Sequence, residues 1–389
     1  MQYRRFGKTE LSMPVISCGG MRYQHGWNES EAVTPESDRN VAACLHRAFD
    51  LGIHHFETAR GYGTSELQVG KALPEFQRDQ ILVQTKVHPK ADVDRFIADF
   101  EKSMSLLGVD YLDLFAFHGI NDEATLEATL ACYDTVDAWR RAGRIRHVGF
   151  ATHGPAEIIV QAVETGLFEY VNLHWFYVDQ TRGAAVRAAA EHDMGVFIIS
   201  PNDKGGHLYH PSEKFARLTA PFHPMVFNAL FCLATPEIHT LSCGVAYPEE
   251  FDVHMETAAH ADRAEQVIAP IVDRLDEALR EAVGEEWLRT WRQGLPEWHE
   301  TPGEINIPVI LQLRNLVLGL DMYEYGEARY NLLGNGGAWF PGQKADQLDR
   351  YDLTHCLRHS PHAERIPALL AETHAMLEGE ARTRLQQAP

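Results

Sequence analysis

Eight times between Val15 and Ala259, a short apolar run is followed by a segment of helical spacing. The first run is Val15–Cys18, and its helix carries Val41, Cys44, Leu45, Ala48 and Phe49 before Gly52 stops it. His54–Glu57 then precedes a helix that Ser65 can cap, and Ile81–Val87 precedes Asp92–Leu107. Leu112–Phe117 precedes Leu126–Ala142, and Ile145–Ala151 precedes Ala156–Thr165. Tyr170–Trp175 precedes Thr181–His192, Val196–Ser200 precedes Met225–Ala234, and Ile238–Gly244 precedes Glu249–Ala259. Continuously apolar strands that alternate with helices are covered on both faces, so they pair in parallel. Eight such units close on themselves. The predicted fold is therefore α/β, a (β/α)8 TIM barrel over residues 1–261. From residue 262 the spacing is helical throughout, with Val267, Ile268, Ile271, Val272 and Leu275 on one stripe and an apolar stretch at Ile307–Leu320. Residues 262–389 are expected to be a helical C-terminal domain, frayed after about Gly379.

Key titratable groups fall at the ends of these runs. Glu57 and Tyr62 lie in His55-Phe56-Glu57-Thr58-Ala59-Arg60-Gly61-Tyr62, Lys86 in Val83-Gln84-Thr85-Lys86, and His118 ends Leu112–His118. Strand ends in a parallel barrel share one face, so these four can converge on one pocket. A tyrosine is a weak acid near pKa 10, and a lysine beside it stabilises the phenolate. A carboxylate positions the lysine, and a histidine orients a substrate oxygen. The phenol can then give its proton to a carbonyl, a contribution of about 10²–10⁴ in rate. Glu66, at a helix start, is expected to cap the helix or balance its dipole.

Several motifs in order carry a resemblance: Arg4-Arg5-Phe6-Gly7-Lys8-Thr9-Glu10-Leu11, Tyr62-Gly63-Thr64-Ser65-Glu66, Thr85-Lys86-Val87-His88, Gly108–Leu114 and Ile145–Gly149. Residues 1 to about 260 resemble the aldo-keto reductases. The resemblance implies Tyr62 as proton donor, Lys86 as modulator of its acidity and His118 as the orienting imidazole. Glu57 stands where most of the family has aspartate, and its longer side chain moves the charge. The resemblance also implies NAD(P)H, held by Gly20, Met21, Thr152, His153 and Asn172 near the nicotinamide end. Ser200, Asp203, Lys204 and Gly205 would lie near the pyrophosphate, and Gly244, Tyr247 and Glu250 toward the adenosine. A carboxylate at Glu250 would repel a 2′-phosphate, and Val253 and His254 replace the usual Glu-Asn pair, so NAD and NADP both stay open.

Residues 291–377 resemble a C-terminal extension of one aldo-keto reductase subgroup, with ferredoxin-like iron–sulfur motifs. The pieces are Pro302–Pro308, Glu327–Tyr330, Cys356–Pro361 and Ile366–Leu370. A C-x₂-C-x₂-C-x₃-C-P run needs four thiolates. Here Arg350, Leu353, Cys356 and Ser360 occupy those positions, and Thr301 stands where another cysteine would be expected. The expectation is a packing domain without an iron–sulfur cluster. No H-x-x-E-H or H-E-x-x-H spacing among the 21 histidines supports a metal site.

The net charge of −20 argues against nucleic acid or an anionic membrane as partner. Six scattered cysteines with no C-x-x-C spacing, and an N-terminus without a signal-peptide core, point to the cytoplasm. The preferred reading is an NAD(P)H-dependent reductase of a small carbonyl compound, or the reverse alcohol oxidation. The alternative is a catalytically impaired or regulatory barrel that binds a dinucleotide or a partner protein. Tyr23, Trp27, Trp175, Phe176 and the 202–224 loop are expected to line the pocket. The sequence sets neither the substrate nor an oligomeric state.

Overall fold

The computed structural model of the chain describes residues 1–383. An antiparallel hairpin, β1 (Tyr3–Arg5) and β2 (Ser12–Pro14), comes first. Eight parallel strands follow: β3 (Ile16–Gly19), β4 (His55–Glu57), β5 (Leu82–Val87), β6 (Leu112–His118), β7 (Ile145–Ala151), β8 (Tyr170–Leu173), β9 (Gly195–Ile198) and β10 (Thr240–Gly244). They pair in chain order, and β10 closes on β3. All eight expected strands are present. The hairpin was not foreseen, because each of its strands is three residues long, too short for alternation to register.

The helices follow local signals. In Val93–Leu107 the Asp92 side chain accepts from the Arg95 N–H at 3.3 Å, and Gly108 ends the helix in the left-handed region at φ 63°. Phe96, Phe100, Met104 and Leu107 recur at helical spacing on its buried face. Phe100 stacks on Trp139 with ring centroids 3.8 Å apart, fixing this helix against its neighbour. Each such aromatic burial contributes about 1.5–3 kcal/mol.

Helix Ser65–Ala72 departs from expectation. Ser65 does not cap it; its hydroxyl donates to the Gly20 carbonyl at 2.8 Å. Glu66 stands in the helix's first turn as expected, and it is also fully buried, pairs with Arg60 and accepts from Thr85 Oγ1 at 2.6 Å.

The hairpin plugs the floor of the barrel. Phe6 and Met13 pack with Leu114, Ala116, Tyr170 and Phe197. A Cβ at Gly195 would stand 2.6 Å from the Phe6 ring, so only glycine admits the plug there. With the floor filled, access is left to the opposite face, where the strands end.

The chain forms two compact units. One comprises Met1–Gly205 and Met225–Gln266; the other comprises Gly206–Pro224 and the chain from Val267 on. Residues 206–224 thus group with the C-terminal region, not with the barrel as a break at 261/262 implies, and they include a helix, Glu213–Thr219. The second unit is helical, with Ile307–Leu320, Tyr323–Tyr330 and Ile366–Leu377 among its elements. Asn331 ties down the segment expected to fray. Its side chain accepts from the Gly379 N–H at 3.1 Å, and its carbonyl accepts from the Arg382 N–H at 2.9 Å. Residues 384–389 of that segment lie outside the described residues. No helix among the described residues is long and apolar enough to cross a membrane.

Candidate active site

Backbone pairing sets the height of each group. Glu57 lies level with Gly19, and Gly19 with Gly244. His118 lies level with Ala151, which pairs with Asn172. Each of these residues is at or near a strand's C-terminal end, on the open face.

Lys86 is fully buried and makes an ion pair with Glu57, which is 3% exposed. The lysine also donates to the Thr58 carbonyl at 2.9 Å, and Glu57 Oε2 accepts from Ser242 Oγ at 3.1 Å. The longer glutamate therefore still reaches the lysine. The Lys86 ammonium lies 4.9 Å from the centre of the Tyr62 ring, and that ring meets His118 edge-on with centroids 5.7 Å apart. The four expected groups stand together.

The surrounding loops hold Tyr62 in place. The Thr64 N–H donates to the Gly26 carbonyl at 3.1 Å, and the His25 N–H donates to Thr64 Oγ1 at 2.8 Å. Gly63 has φ +53°, and a Cβ there would collide with the Gly26 carbonyl. The polar 23–35 loop is thereby fastened to the turn that carries Tyr62. Tyr23 is buried and turns its hydroxyl to Cys18 Sγ at 2.9 Å, and Phe176 is 1% exposed. Neither contributes the open lining expected of it.

Burial governs the titration. It pushes the Tyr62 phenol up and pulls the Lys86 ammonium down. The expected downward pull of Lys86 on the phenol does not prevail. The ammonium lies over the ring, and the Glu57 carboxylate answers its charge. His118 is held well below the usual histidine range by burial, then by the charges of His88, Lys86 and Lys204. His118 stacks on His88 at 4.5 Å and 9°, a partner that the sequence offered only as one of many histidines.

Among the expected cofactor residues, Asn172 is fully buried, and neither its amide oxygen nor its amide nitrogen has a hydrogen-bond partner. Thr152 is instead absorbed by the fold, donating to the Ile120 carbonyl at 2.6 Å and accepting from the Gly154 N–H at 2.9 Å. Gly20 accepts from Ser65 in a turn that continues through the half-buried Met21. Ser200 has φ +52° and heads the short helix Pro201–Lys204, which ends at Gly205. Burial pushes Asp203 up to about 6. Lys204 bonds to His153 and His174. Gly244 ends β10, and Tyr247 is 61% exposed. Glu250 is paired with Arg22 at 2.8 Å and accepts from the Ala246 N–H at 2.9 Å.

In the second unit, Cys356 Sγ donates to the Leu353 carbonyl at 3.2 Å, while Ser360 is buried and Arg350 exposed. All six cysteines are free. Among the described residues no group of three or more histidine, cysteine or carboxylate side chains could hold a metal ion.

The Aldo/keto reductase family profile matches residues 15–204. An aldo-keto reductase of Mycobacterium sp. (strain KMS) is 31% identical over 210 residues, which are 52% of this chain and 72% of that protein. The L-glyceraldehyde 3-phosphate reductase of Escherichia coli K12 is 29% identical over 171 residues, covering 40% of this chain and 46% of that enzyme. The match thus spans about half of that enzyme's length. The crystal structure of an aldo-keto reductase from Klebsiella pneumoniae in complex with NADPH superposes with a TM-score of 0.53 at 21% identity, covering 70% of this chain and 94% of that one. That likeness speaks for the barrel, and the sequence matches go further: the chain belongs to the aldo/keto reductase family.

Proposed function

We propose that the protein is an NAD(P)H-dependent carbonyl reductase, running in reverse as an alcohol dehydrogenase. The observation that carries this reading is the Lys86–Glu57 ion pair set against the Tyr62 ring, with His118 at its edge. The nucleotide fits the residues present. Asn172 offers a buried amide donor and acceptor with no partner in the chain, the complement of a carboxamide. Gly20, Met21, Ser200, Gly205, Gly244, Tyr247 and Glu250 would hold the remainder. When bound, the reduced nicotinamide supplies the hydride that a carbonyl carbon takes up.

The chain's own groups handle the proton. Tyr62 is protonated at neutral pH, as an ordinary phenol is, and its hydroxyl is the group that would donate to the carbonyl oxygen. Lys86 stabilises the phenolate left behind, and Glu57 with Thr58 fixes the lysine. His118, kept neutral, presents one ring N–H to orient the substrate oxygen. The free cysteines suit a reducing compartment, the cytoplasm. The second unit is read as a ferredoxin-like extension that packs without a cluster.

Tyr62→Phe tests the reading. It removes one hydroxyl and should lower kcat by about 10²–10⁴ while NADH and NADPH still bind. Undiminished activity would remove Tyr62 from the chemistry. Failure of the wild type to bind either nucleotide would favour the regulatory barrel.

A further inference from the structure

The Lys86–Glu57 ion pair has a third member. Ser242, on β10, donates to Glu57 Oε2 at 3.1 Å, while Oε1 of the same carboxylate takes the Lys86 ammonium. Strands β10 and β4 are not neighbours, because β3 runs between them. The β3 residue level with Glu57 is Gly19. Its missing side chain opens the way across: a Cβ there would stand 2.4 Å from Ser242 Oγ. Ser242 and Glu57 are both buried, so the bond is shielded from bulk water.

A glutamate at this place needs the second tie. The last torsion of a glutamate is broad, so a carboxylate anchored through one oxygen still turns about its Cγ–Cδ bond. Lys86 engages Oε1; Ser242 engages Oε2 and fixes the plane. A hydroxyl on a charged acceptor makes one of the stronger hydrogen bonds. The plane in turn sets where the ammonium sits between Glu57 and the Thr58 carbonyl. From that seat the ammonium lies 4.9 Å from the centre of the Tyr62 ring. Its stabilisation of negative charge on the phenol weakens as that separation grows.

We propose that Ser242 is a positioning residue, which acts through Glu57 to hold Lys86 against Tyr62 while the phenol gives up its proton. The proposal rests on the reductase reading above. Phenolate charge appears on Tyr62 only as the proton leaves, so the effect of Ser242 falls on the transfer step and not on binding. A serine that only satisfied a buried carboxylate would add stability and leave the rate of transfer alone. The experiment separates these two roles.

Wild type, Ser242→Ala, Ser242→Thr and Gly19→Ala are compared in single turnovers of saturating NADH or NADPH with para-nitrobenzaldehyde and with butanal. Ser242→Ala should slow the transfer step about tenfold or more, the scale of a small misplacement near a reacting centre, with the KM for aldehyde and the Kd for nucleotide held. Ser242→Thr keeps the hydroxyl and should restore most of the rate. Gly19→Ala keeps the serine but drives its hydroxyl off Glu57, and it should slow the step as Ser242→Ala does. An unchanged transfer rate in Ser242→Ala overturns the proposal. So does a threonine variant no faster than the alanine one, or a loss carried by the nucleotide Kd while the transfer rate holds. If the wild type reduces neither aldehyde with either nucleotide, the reductase reading fails by itself. Thermal unfolding then decides whether Ser242 holds Glu57. Ser242→Ala should lower Tm by about 3 °C or more in the wild type, and should not lower it in the Glu57→Leu/Lys86→Met background. Equal losses in the two backgrounds overturn the tie.

Discussion

Replacing Lys86 by methionine should destabilise the barrel more than replacing both members of its ion pair. In the wild type, Lys86 is fully buried against a glutamate that is 3% exposed. Lys86→Met strands the Glu57 carboxylate with a single donor, Ser242 Oγ at 3.1 Å, and leaves the Thr58 carbonyl without its ammonium. Breaking a buried pair this way costs about 3–5 kcal/mol. The double variant Glu57→Leu/Lys86→Met has no stranded charge. It leaves only the Ser242 hydroxyl and Thr58 carbonyl unsatisfied, at about 1–3 kcal/mol each, against the desolvation of two ions that it saves. It should therefore recover most of the loss, to within about 2 kcal/mol of the wild type. Urea unfolding of the four proteins at neutral pH measures the cycle. The Glu57→Leu single variant adds a pH signature. Burial depresses the folded-state lysine below its unfolded value near 10.4, so the unfolded chain holds more protons between the two. Stability of that variant should rise with pH across this window, up to about pH 10. A double variant as unstable as the sum of the singles would refute the buried-pair argument. So would a Lys86→Met loss under about 1 kcal/mol.

Three further outcomes are expected. Glu250→Gln releases Arg22 from its 2.8 Å ion pair and removes the carboxylate proposed to meet the adenosine end of the nucleotide. The ratio of Kd for NADPH to that for NADH, measured by nicotinamide fluorescence, should fall about tenfold. Desolvation pulls His55 down to about 3 and His239 to about 4, so the unfolded chain protonates these groups first. Stability should be full above about pH 6.5 and fall as pH drops toward 3, and His55→Asn should recover a few kcal/mol of that acid limb. Anaerobically purified protein should carry iron and acid-labile sulfide far below one cluster per chain, since Cys356 is the one thiol in the run from Arg350 to Ser360. Stoichiometric iron and sulfide would overturn that expectation.

The chain announces its barrel because buried parallel strands and amphipathic helices differ in period, and that difference survives in a linear string. Glu57, Lys86 and His118 were legible for the same reason: each lies at the C-terminal end of a strand that the pattern locates, and Tyr62 follows in a turn marked by two glycines. The β1–β2 plug left no signal, since its strands are short and its partners Tyr170 and Phe197 lie far along the chain. Which polar groups meet was equally silent. Nothing in the spacing brings Ser242 to Glu57, lays His88 flat on His118, or turns Lys204 onto His153 and His174. Glu66 reads as a helix-start charge, yet packing buries it against Arg60 and Thr85. Residues 206–224 read as a barrel loop, yet they group with the chain from Val267 on. Local propensity and period are properties of neighbours in sequence, so the sequence alone determined the eight barrel strands, their helices and the face to which Glu57, Tyr62, Lys86 and His118 come. Partnership, burial and protonation depend on closure of the barrel around groups tens to hundreds of residues apart, and only the tertiary structure decided those.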